Sequence, residues 1–394
     1  MRKVKIAEVF EFVRNGYSVK QSNNAGGIPI TRIETISDCT INSDKFGFAD
    51  INHNKLGRAK DYFLQEGDLL MTHINSISHL GKCAIYEGAP EHLIHGMNLL
   101  CLRAKRQIAE PKYLFYYFNS PYFKSKLVKY INPAVNQASV STTNLKKLNV
   151  PLPPLPTQQK IAAILDAADL HRRKTQTLID KYDELAQSLF LEMFGDLEGP
   201  SDSLSKFCLV NPGKSEIKDL DKDLMVSFLP MSNVSEKGKI DLSIAKPLKE
   251  VWNGFTYFRE DDVVFAKITP CMENGKGAIT RNLVNSIGFG TTEFHVLRPI
   301  IGISTAEWLY HLTMRKSFRK KAEANMTGSA GQKRVPKDFF HKYRVVCPPI
   351  SLQNQFAQHI QAIEAQKAQA QKALEKGEEL FNSLLQKAFK GEIV

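Results

Sequence analysis

Two stretches of the chain carry apolar residues at alternating steps of three and four, the spacing that draws one stripe along a helix. In the second stretch Phe356, Ile360, Ile363, Lys367, Ala370, Leu374, Gly377, Phe381, Leu384 and Ala388 form a heptad seam interrupted at Lys367 and Gly377. The first aligns Ile161, Ile164 or Leu165, Ala168, Thr175, Leu178, Tyr182, Leu185, Leu189 and Met193, across a polar stretch at His171-Arg172-Arg173-Lys174. About 38 residues at ~1.5 Å each give a helix of roughly 57 Å, far above the globular average. A stripe so long exceeds what one small domain covers, so the two are expected to pack against each other antiparallel as a spacer rod. Each stretch follows a diproline, Pro153-Pro154 or Pro348-Pro349, which fixes φ, removes amide donors and ends the unit before it.

Outside the stripes the pattern changes. Short runs such as DLLMTHI and DVVFAKI, broken by Asn, Gly, Asp and Pro, predict mixed α/β (α+β) units over 1–152 and 197–347, each followed by a long helix, 153–196 and 348–394. EPKYLFYYFNSPYFKSKLVKYI and STAEWLYHLTMRKSFRKKAEA read as paired helical segments, with Tyr113, Phe123, Trp308 and Phe318 as packing anchors. The halves also repeat one another. FLQEGDLLMTHI at 63–74 faces YFREDDVVFAKI at 257–268, and GKCAI faces GKGAI at the same offset of 194; from Leu102-Arg103 against Leu297-Arg298 the offset is 195. At 195 PPLPTQQKIAAIL faces PPISLQNQFAQHI, and Phe194 faces Phe389.

Composition narrows the class. Of 394 residues 43% are hydrophobic, yet no run approaches the roughly 18 apolar residues of a membrane span. The opening MRKVKIAEVFEF has charges inside its apolar run, unlike a secretory signal, so a cytoplasmic location is expected. Six scattered cysteines without a CxxC pair fit reduced thiols. The formal charge is +12, with +7 on residues 1–195 and +5 on the rest, so both halves favour a polyanionic partner.

Catalytic signatures are missing. Asn274-Gly275-Lys276-Gly277 has the wrong glycine spacing for a phosphate-binding loop. Asn132-Pro133-Ala134-Val135 and Asn211-Pro212-Gly213-Lys214 lack the second proline and the aromatic ring of an adenine methyltransferase motif. His79, His92 and His95 lack an accompanying acidic or cysteine signature for a metal. Asp68 and Asp262 suit a turn before a strand better than a nuclease's metal cluster.

Polar loops and basic clusters are the candidates for DNA contact. Phosphate contacts are expected from Arg103, Lys105 and Arg106, from Lys124, Lys126 and Lys129, and from Arg315, Lys316, Arg319, Lys320, Lys321, Lys333 and Arg334. Base reading needs donors and acceptors on loops, and Asn23-Asn24, Asn75, Ser76, Ser78 and His79, or Thr269, Asn274, Thr291 and Thr292, supply them. Asn136-Gln137 and Gly331-Gln332-Lys333 hold equivalent places; the glycines of Thr327–Gln332 suit a backbone approach to phosphate or a plain turn. Phe190, Phe194, Phe389 and Ile393 are open between docking a partner and burial in their own unit.

The duplicated unit, EGDLL and EDDVV, GKCAI and GKGAI, the two diproline junctions and the helix ends LFLEMFGD and LLQKAFKGE share one order and spacing. In these the chain resembles the DNA-specificity subunit of type I restriction-modification systems, over essentially all its length. The resemblance implies two target-recognition domains, each reading half of an asymmetric bipartite DNA site, with the coiled coil fixing the spacer. It implies no cofactor or catalysis in this chain. It also implies assembly with two modification subunits that use S-adenosylmethionine to methylate adenine, and with restriction subunits that need ATP and magnesium. A restriction endonuclease with built-in recognition and a coiled-coil scaffold are the alternatives.

Overall fold

The computed structural model describes residues 2–22, 26–51, 56–134, 137–329 and 331–393, without the side chain of Ala134. Asn23-Asn24, Val135 and Asn136 therefore lie outside the described residues. The chain divides into two compact units, Met1–Gln176 with Lys372–Val394, and Thr177–Gln371.

The elements that position the site in the first unit are β1 (Phe10–Asn15), β2 (Leu69–Thr72), β3 (Ile74–Asn75), β4 (Cys83–Ile85), β5 (Leu99–Ala104), α1 (Pro111–Asn119), α2 (Pro121–Leu127), β6 (Asn132–Ala134), β7 (Gln137–Ser139) and the start of α3 (Leu155–Phe194). An antiparallel sheet runs β1-β5-β2-β4. Its inner strand β2 is buried at every position: Leu69 and Met71 enter the core with Tyr113, Phe118 and Phe123, whereas Leu70 enters a second core with Leu99 and Cys101. Covering both faces removes the usual in-out alternation, which is why DLLMT reads as one apolar run. The break between α1 and α2 is local chemistry: Ser120 accepts from Phe123 N at 3.2 Å, and Pro121 opens the next helix where its missing N–H costs nothing.

The second unit repeats this with β8 (Cys208–Val210), β9 (Val263–Ala266), β10 (Gly277–Ile279), β11 (Phe294–Pro299), α4 (Ala306–Met314), α5 (Lys316–Ala324) and α6 (Ile350–Lys390). The sheet order is β8-β11-β9-β10. Leu69 pairs with Leu102 and Val263 with Leu297, while the β2-β4 and β9-β10 pairings keep the offset of 194. The extra residue therefore falls between the last two strands. The copies differ most in a further sheet: three short strands (Gln21–Ser22, Ile28–Ile30, Gly47–Ala49) in the first unit, four (Met225–Leu229, Ala245–Pro247, Thr256–Arg259, Ile287–Gly290) in the second.

The repeated aspartates do the same two jobs in each copy. Asp68 Oδ2 accepts from Gln65 N at 2.8 Å and Asp262 Oδ2 from Arg259 N at 2.9 Å, closing the turn before the strand. Each then takes a bidentate arginine: Arg103 Nε and Nη2 lie 2.8 and 2.6 Å from Asp68, and Arg298 Nε and Nη2 both 2.8 Å from Asp262. These carboxylates hold the sheet.

Two buried glutamines fasten each long helix to its own globular part. Gln158 donates to Ile108 O (2.9 Å) and Pro153 O (2.8 Å) and accepts from Glu110 N (2.9 Å). Gln353 donates to Ile303 O (2.9 Å) and Pro348 O (2.8 Å) and accepts from Thr305 N (2.9 Å). The likeness of the diproline junctions encodes this joint.

The long helices pack antiparallel within each unit. In the first, Ile161 and Leu165 share a core with Leu385, Ala388 and Phe389, and the Arg172 guanidinium lies 5.0 Å from the Phe381 ring. In the second, the Phe356 ring is 5.5 Å from Phe190 and 5.1 Å from Phe194, and Asp183 pairs with Lys367. The fold is thus mixed α/β (α+β), an internal repeat of two similar globular parts joined by two long helices.

On α6 the seam runs through Phe356, Ile360, Ile363, Lys367, Ala370, Leu374, Gly377, Phe381, Leu384 and Ala388, each buried or half-buried. On α3 the expected seam needs correcting after Ala168. Leu178 and Leu185 are 44% and 49% exposed, Tyr182 and Leu189 are half-buried, and Ile179, Ala186, Phe190 and Phe194 are buried instead. The stripe passes through two charged positions, Arg172 and Asp183, whose partners Phe381 and Lys367 are on the other helix. Following apolar residues alone stepped off it there. Ile179→Ala should therefore cost about 2 kcal/mol, and Leu178→Ala less than about 0.5 kcal/mol. Urea unfolding of the two variants checks this, and equal losses would refute the register.

Candidate nucleic-acid interface

In both units a hairpin after the second short helix folds back onto the loop that follows the inner strand. In the first, β6 and β7 pair antiparallel, Ala138 of β7 faces Asn75 of β3, and Val140 N donates to His73 O at 2.8 Å. This brings Gln137 beside the loop bearing Asn75, Ser76, Ser78 and His79; Asn75 is half-buried and the other three are exposed. The loop is braced from beneath, since Thr72 Oγ1 donates to His79 O (2.5 Å) and accepts from Lys82 N (3.1 Å).

In the second unit Thr327 and Arg334 exchange backbone bonds of 2.9 and 2.8 Å, and Gly328 and Gly331 take φ of +117° and +80° to make the turn. Thr269 N donates to Lys333 O at 3.0 Å and Val335 N to Lys267 O at 2.9 Å. Lys267 N in turn donates to Glu293 O at 2.9 Å, which draws the loop with Thr291 and Thr292 into the same surface. Thr269, Thr291, Thr292, Lys333 and Arg334, far apart in sequence, thus share one face.

That face has an organiser the sequence reading missed. Glu293 receives Arg334 Nε and Nη2, each at 2.9 Å, and these bonds hold its carboxyl below the usual range. Its signal was its place directly after Thr291-Thr292. Arg334 is therefore occupied in positioning the hairpin, and Thr269 gives its hydroxyl to Glu273 at 2.6 Å. Thr292, Asn274 and Lys333 remain exposed.

Several basic candidates are engaged with the fold itself, although Arg106 remains exposed. Arg103 is tied to Asp68, Lys105 Nζ donates to Glu8 O at 3.0 Å, and Arg106 donates to Glu66 O. Arg319 is 8% exposed, lies 5.1 Å from the Phe265 ring and donates to Met272 O; burial pushes it down to about 10. A guanidinium buried there cannot reach a phosphate. Arg315 is half-buried 5.9 Å from the Phe190 ring, whereas Lys124, Lys129, Lys316, Lys320 and Lys321 are exposed and Lys126 stands 3.8 Å from the Tyr122 ring.

The remaining candidates fall into place. Tyr113, Phe123, Trp308 and Phe318 are core residues, as are Phe190, Phe194 and Phe389, with Ile393 packed against the first core. His95 is buried between Tyr62 O and Asn15 O, and His92 packs on Phe63. Among the described residues no group of three or more His, Cys, Asp or Glu could hold a metal ion, and no helix is long and apolar enough to cross a membrane. All six cysteines are free thiols.

Residues 1–181 match the family described as the type I restriction modification DNA specificity domain. A Methanocaldococcus jannaschii protein, provisionally named a type I restriction enzyme MjaX specificity subunit, is 48% identical over 167 residues, 42% of this chain and 38% of that protein. The type I restriction enzyme EcoAI specificity subunit of Escherichia coli is 38% identical over 189 residues, 46% of this chain and 31% of its own length. The chain thus spans less than two fifths of either relative. The S subunit of a type I restriction-modification system from M. genitalium has the same fold, with a TM-score of 0.56 over 98% of this chain and 96% of that one at 14% identity. The first part of the chain thus matches the type I restriction modification DNA specificity domain, and the chain as a whole has the fold of that S subunit.

Proposed function

We propose that this chain reads DNA sequence for a type I restriction-modification complex and performs no catalysis itself. Each globular part grips one half of an asymmetric bipartite site in duplex DNA. Two modification subunits, using S-adenosylmethionine, and restriction subunits, using ATP and magnesium, act where it directs them. The observation that carries this reading is the duplicated surface: a hairpin and a polar loop joined at the same place in both units, Gln137 with Asn75–His79 and Lys333 with Thr269–Asn274. Such loops present donors and acceptors to base edges, while exposed lysines beside them neutralise phosphates.

Duplex binding by the full chain with its modification subunit tests the proposal, once the methylated sites have been mapped on genomic DNA. The mapped duplex should outcompete a scrambled one, and the chain alone should not cut either in magnesium. Cleavage without added subunits would favour an endonuclease; no preference for the mapped duplex would favour a scaffold. Within that assay Lys333→Gln should weaken all duplexes alike and lower the salt slope by about 1, whereas Asn274→Ala should cost about 1–3 kcal/mol on the mapped duplex only. Uniform loss from both variants would remove Asn274 from base reading.

A further inference from the structure

Four lysines from three separate stretches of the sequence converge in the first unit on a cleft of about 220 Å³: Lys3, Lys126, Lys129 and Lys147, with Tyr130, Leu148 and Asn149 completing its wall. The pairing of strand Lys3–Lys5 with Asn149–Pro151 brings the N-terminal lysine to the others. No acid lines the cleft, and among the described residues none of the four lysines is in an ion pair. Lys126 is held by the face of Tyr122, which orients its ammonium without neutralising it. Four like charges around one concavity repel each other, and a polyanion relieves that repulsion.

The corresponding positions of the second unit carry a different set of side chains, and the strand pairing fixes the correspondence. Lys3 faces Pro151 and Ser201 faces Val346, so Lys3 is replaced by Ser201; Lys129 and Lys147 correspond to Ala324 and Lys342, and Lys126 to Lys321. Lys342 there lies 4.0 Å from Asp338, and Arg344, in the place of Asn149, donates to Ser201 O. Two lysines are gone, a third faces a carboxylate, and the added arginine is engaged with the backbone.

The cleft adjoins the proposed interface. Lys126 and Lys129 lead directly into β6 and β7, and α2 packs under the polar loop so closely that a methyl on Gly81 would lie 2.5 Å from Leu127 Cδ2. We propose that Lys3, Lys126, Lys129 and Lys147 form a phosphodiester clamp peculiar to the first unit, making that unit the salt-sensitive grip on the duplex and leaving the second to depend more on its loops. This rests on the reading of the chain as a DNA-specificity subunit and adds two residues, Lys3 and Lys147, and an inequality between its halves.

The test measures duplex affinity between 50 and 300 mM KCl for the full chain with its modification subunit, as wild type, K3Q/K147Q, K3Q/K126Q/K129Q/K147Q and K342Q. Each neutralised phosphate contributes about 0.9 to the slope of log K on log salt. The quadruple variant should lose about 2 from that slope and bind at least about tenfold more weakly at the midpoint salt. K3Q/K147Q should lose about half as much, and K342Q nothing. Lys3, Lys129, Lys147 and Lys342 are exposed and Lys126 half-buried, and unchanged thermal melting confirms folding. An unchanged slope in the quadruple variant, with wild type still selecting its target, overturns the clamp and spares the reading of function. A wild type without target preference overturns both. A K342Q effect as large as that of K3Q/K147Q overturns the inequality. Tripolyphosphate binding by wild type, joined to an unchanged duplex slope in the quadruple variant, gives the cleft to a small polyanion and likewise overturns the proposal.

Discussion

Asp262→Ala is expected to cost the second unit about 3–5 kcal/mol, because it strands a buried guanidinium. The Arg298 side chain is 7% exposed and Asp262 1%, and their two parallel bonds are joined by a third from Arg298 to Glu216. Glu216 softens the loss but is bound by Arg259 and Tyr257 as well, so it cannot replace a bidentate partner. The corresponding Asp68→Ala should cost less, about 1–3 kcal/mol, since Arg103 is 19% exposed and can turn to water. Removing both partners, in Asp262→Leu with Arg298→Met, should cost less than Asp262→Ala alone, because no charge is left unpaired. Two-transition thermal unfolding of the full chain measures all three. A loss below about 1 kcal/mol for Asp262→Ala would refute the buried-pair argument.

Acid should weaken the second unit through His295. Burial lowers this imidazole from its ordinary value near 6.5 to about 4, and the surrounding bonds suit only a neutral ring. Nε2 lies 2.8 Å from Val335 O and donates to it, so Nδ1 accepts from the Asn211 amide at 3.0 Å. Asn211 cannot turn round, because its Oδ1 takes Val296 N at 2.9 Å. With the folded value depressed, the stabilisation is complete above about pH 6.5 and is lost as pH falls towards 4, by up to about 3 kcal/mol. Urea midpoints at pH 7.5, 5.5 and 4.5 follow that limb. Asn211→Asp places a carboxylate against Nδ1, favours the charged ring and should flatten the limb; an equally steep limb in that variant would point to another group.

How much of this was readable beforehand depended on what kind of signal each residue left. The repeat, the diproline junctions and the α6 seam were legible because apolar spacing and proline act locally. The α3 seam was not, since Arg172 and Asp183 occupy seam positions through partners on another helix, and a rule that counts apolar residues steps over them. The polar loops were legible by composition, but their assembly was not. Nothing between Thr269 and Lys333 in sequence announces a hydrogen bond, and Glu293 is an ordinary acid until Arg334 is beside it. Basic residues were the least legible: Arg103 and Arg319 have the same chemistry whether facing solvent or buried, and only tertiary contacts separate them from Lys3 and Lys147.

The glutamine joint has a bearing on how such a chain can change. Gln158 and Gln353 reach chiefly main-chain atoms of the globular parts, carbonyls of Ile108, Pro153, Ile303 and Pro348 and amides of Glu110 and Thr305; Gln353 adds longer contacts to side chains, Thr305 Oγ1 at 3.4 Å and Cys347 Sγ at 3.5 Å. A fastening that addresses chiefly the backbone constrains few side chains. Each globular part is thereby free to rewrite nearly every exposed position without loosening its attachment, so the halves can diverge in what they hold while keeping how they are held.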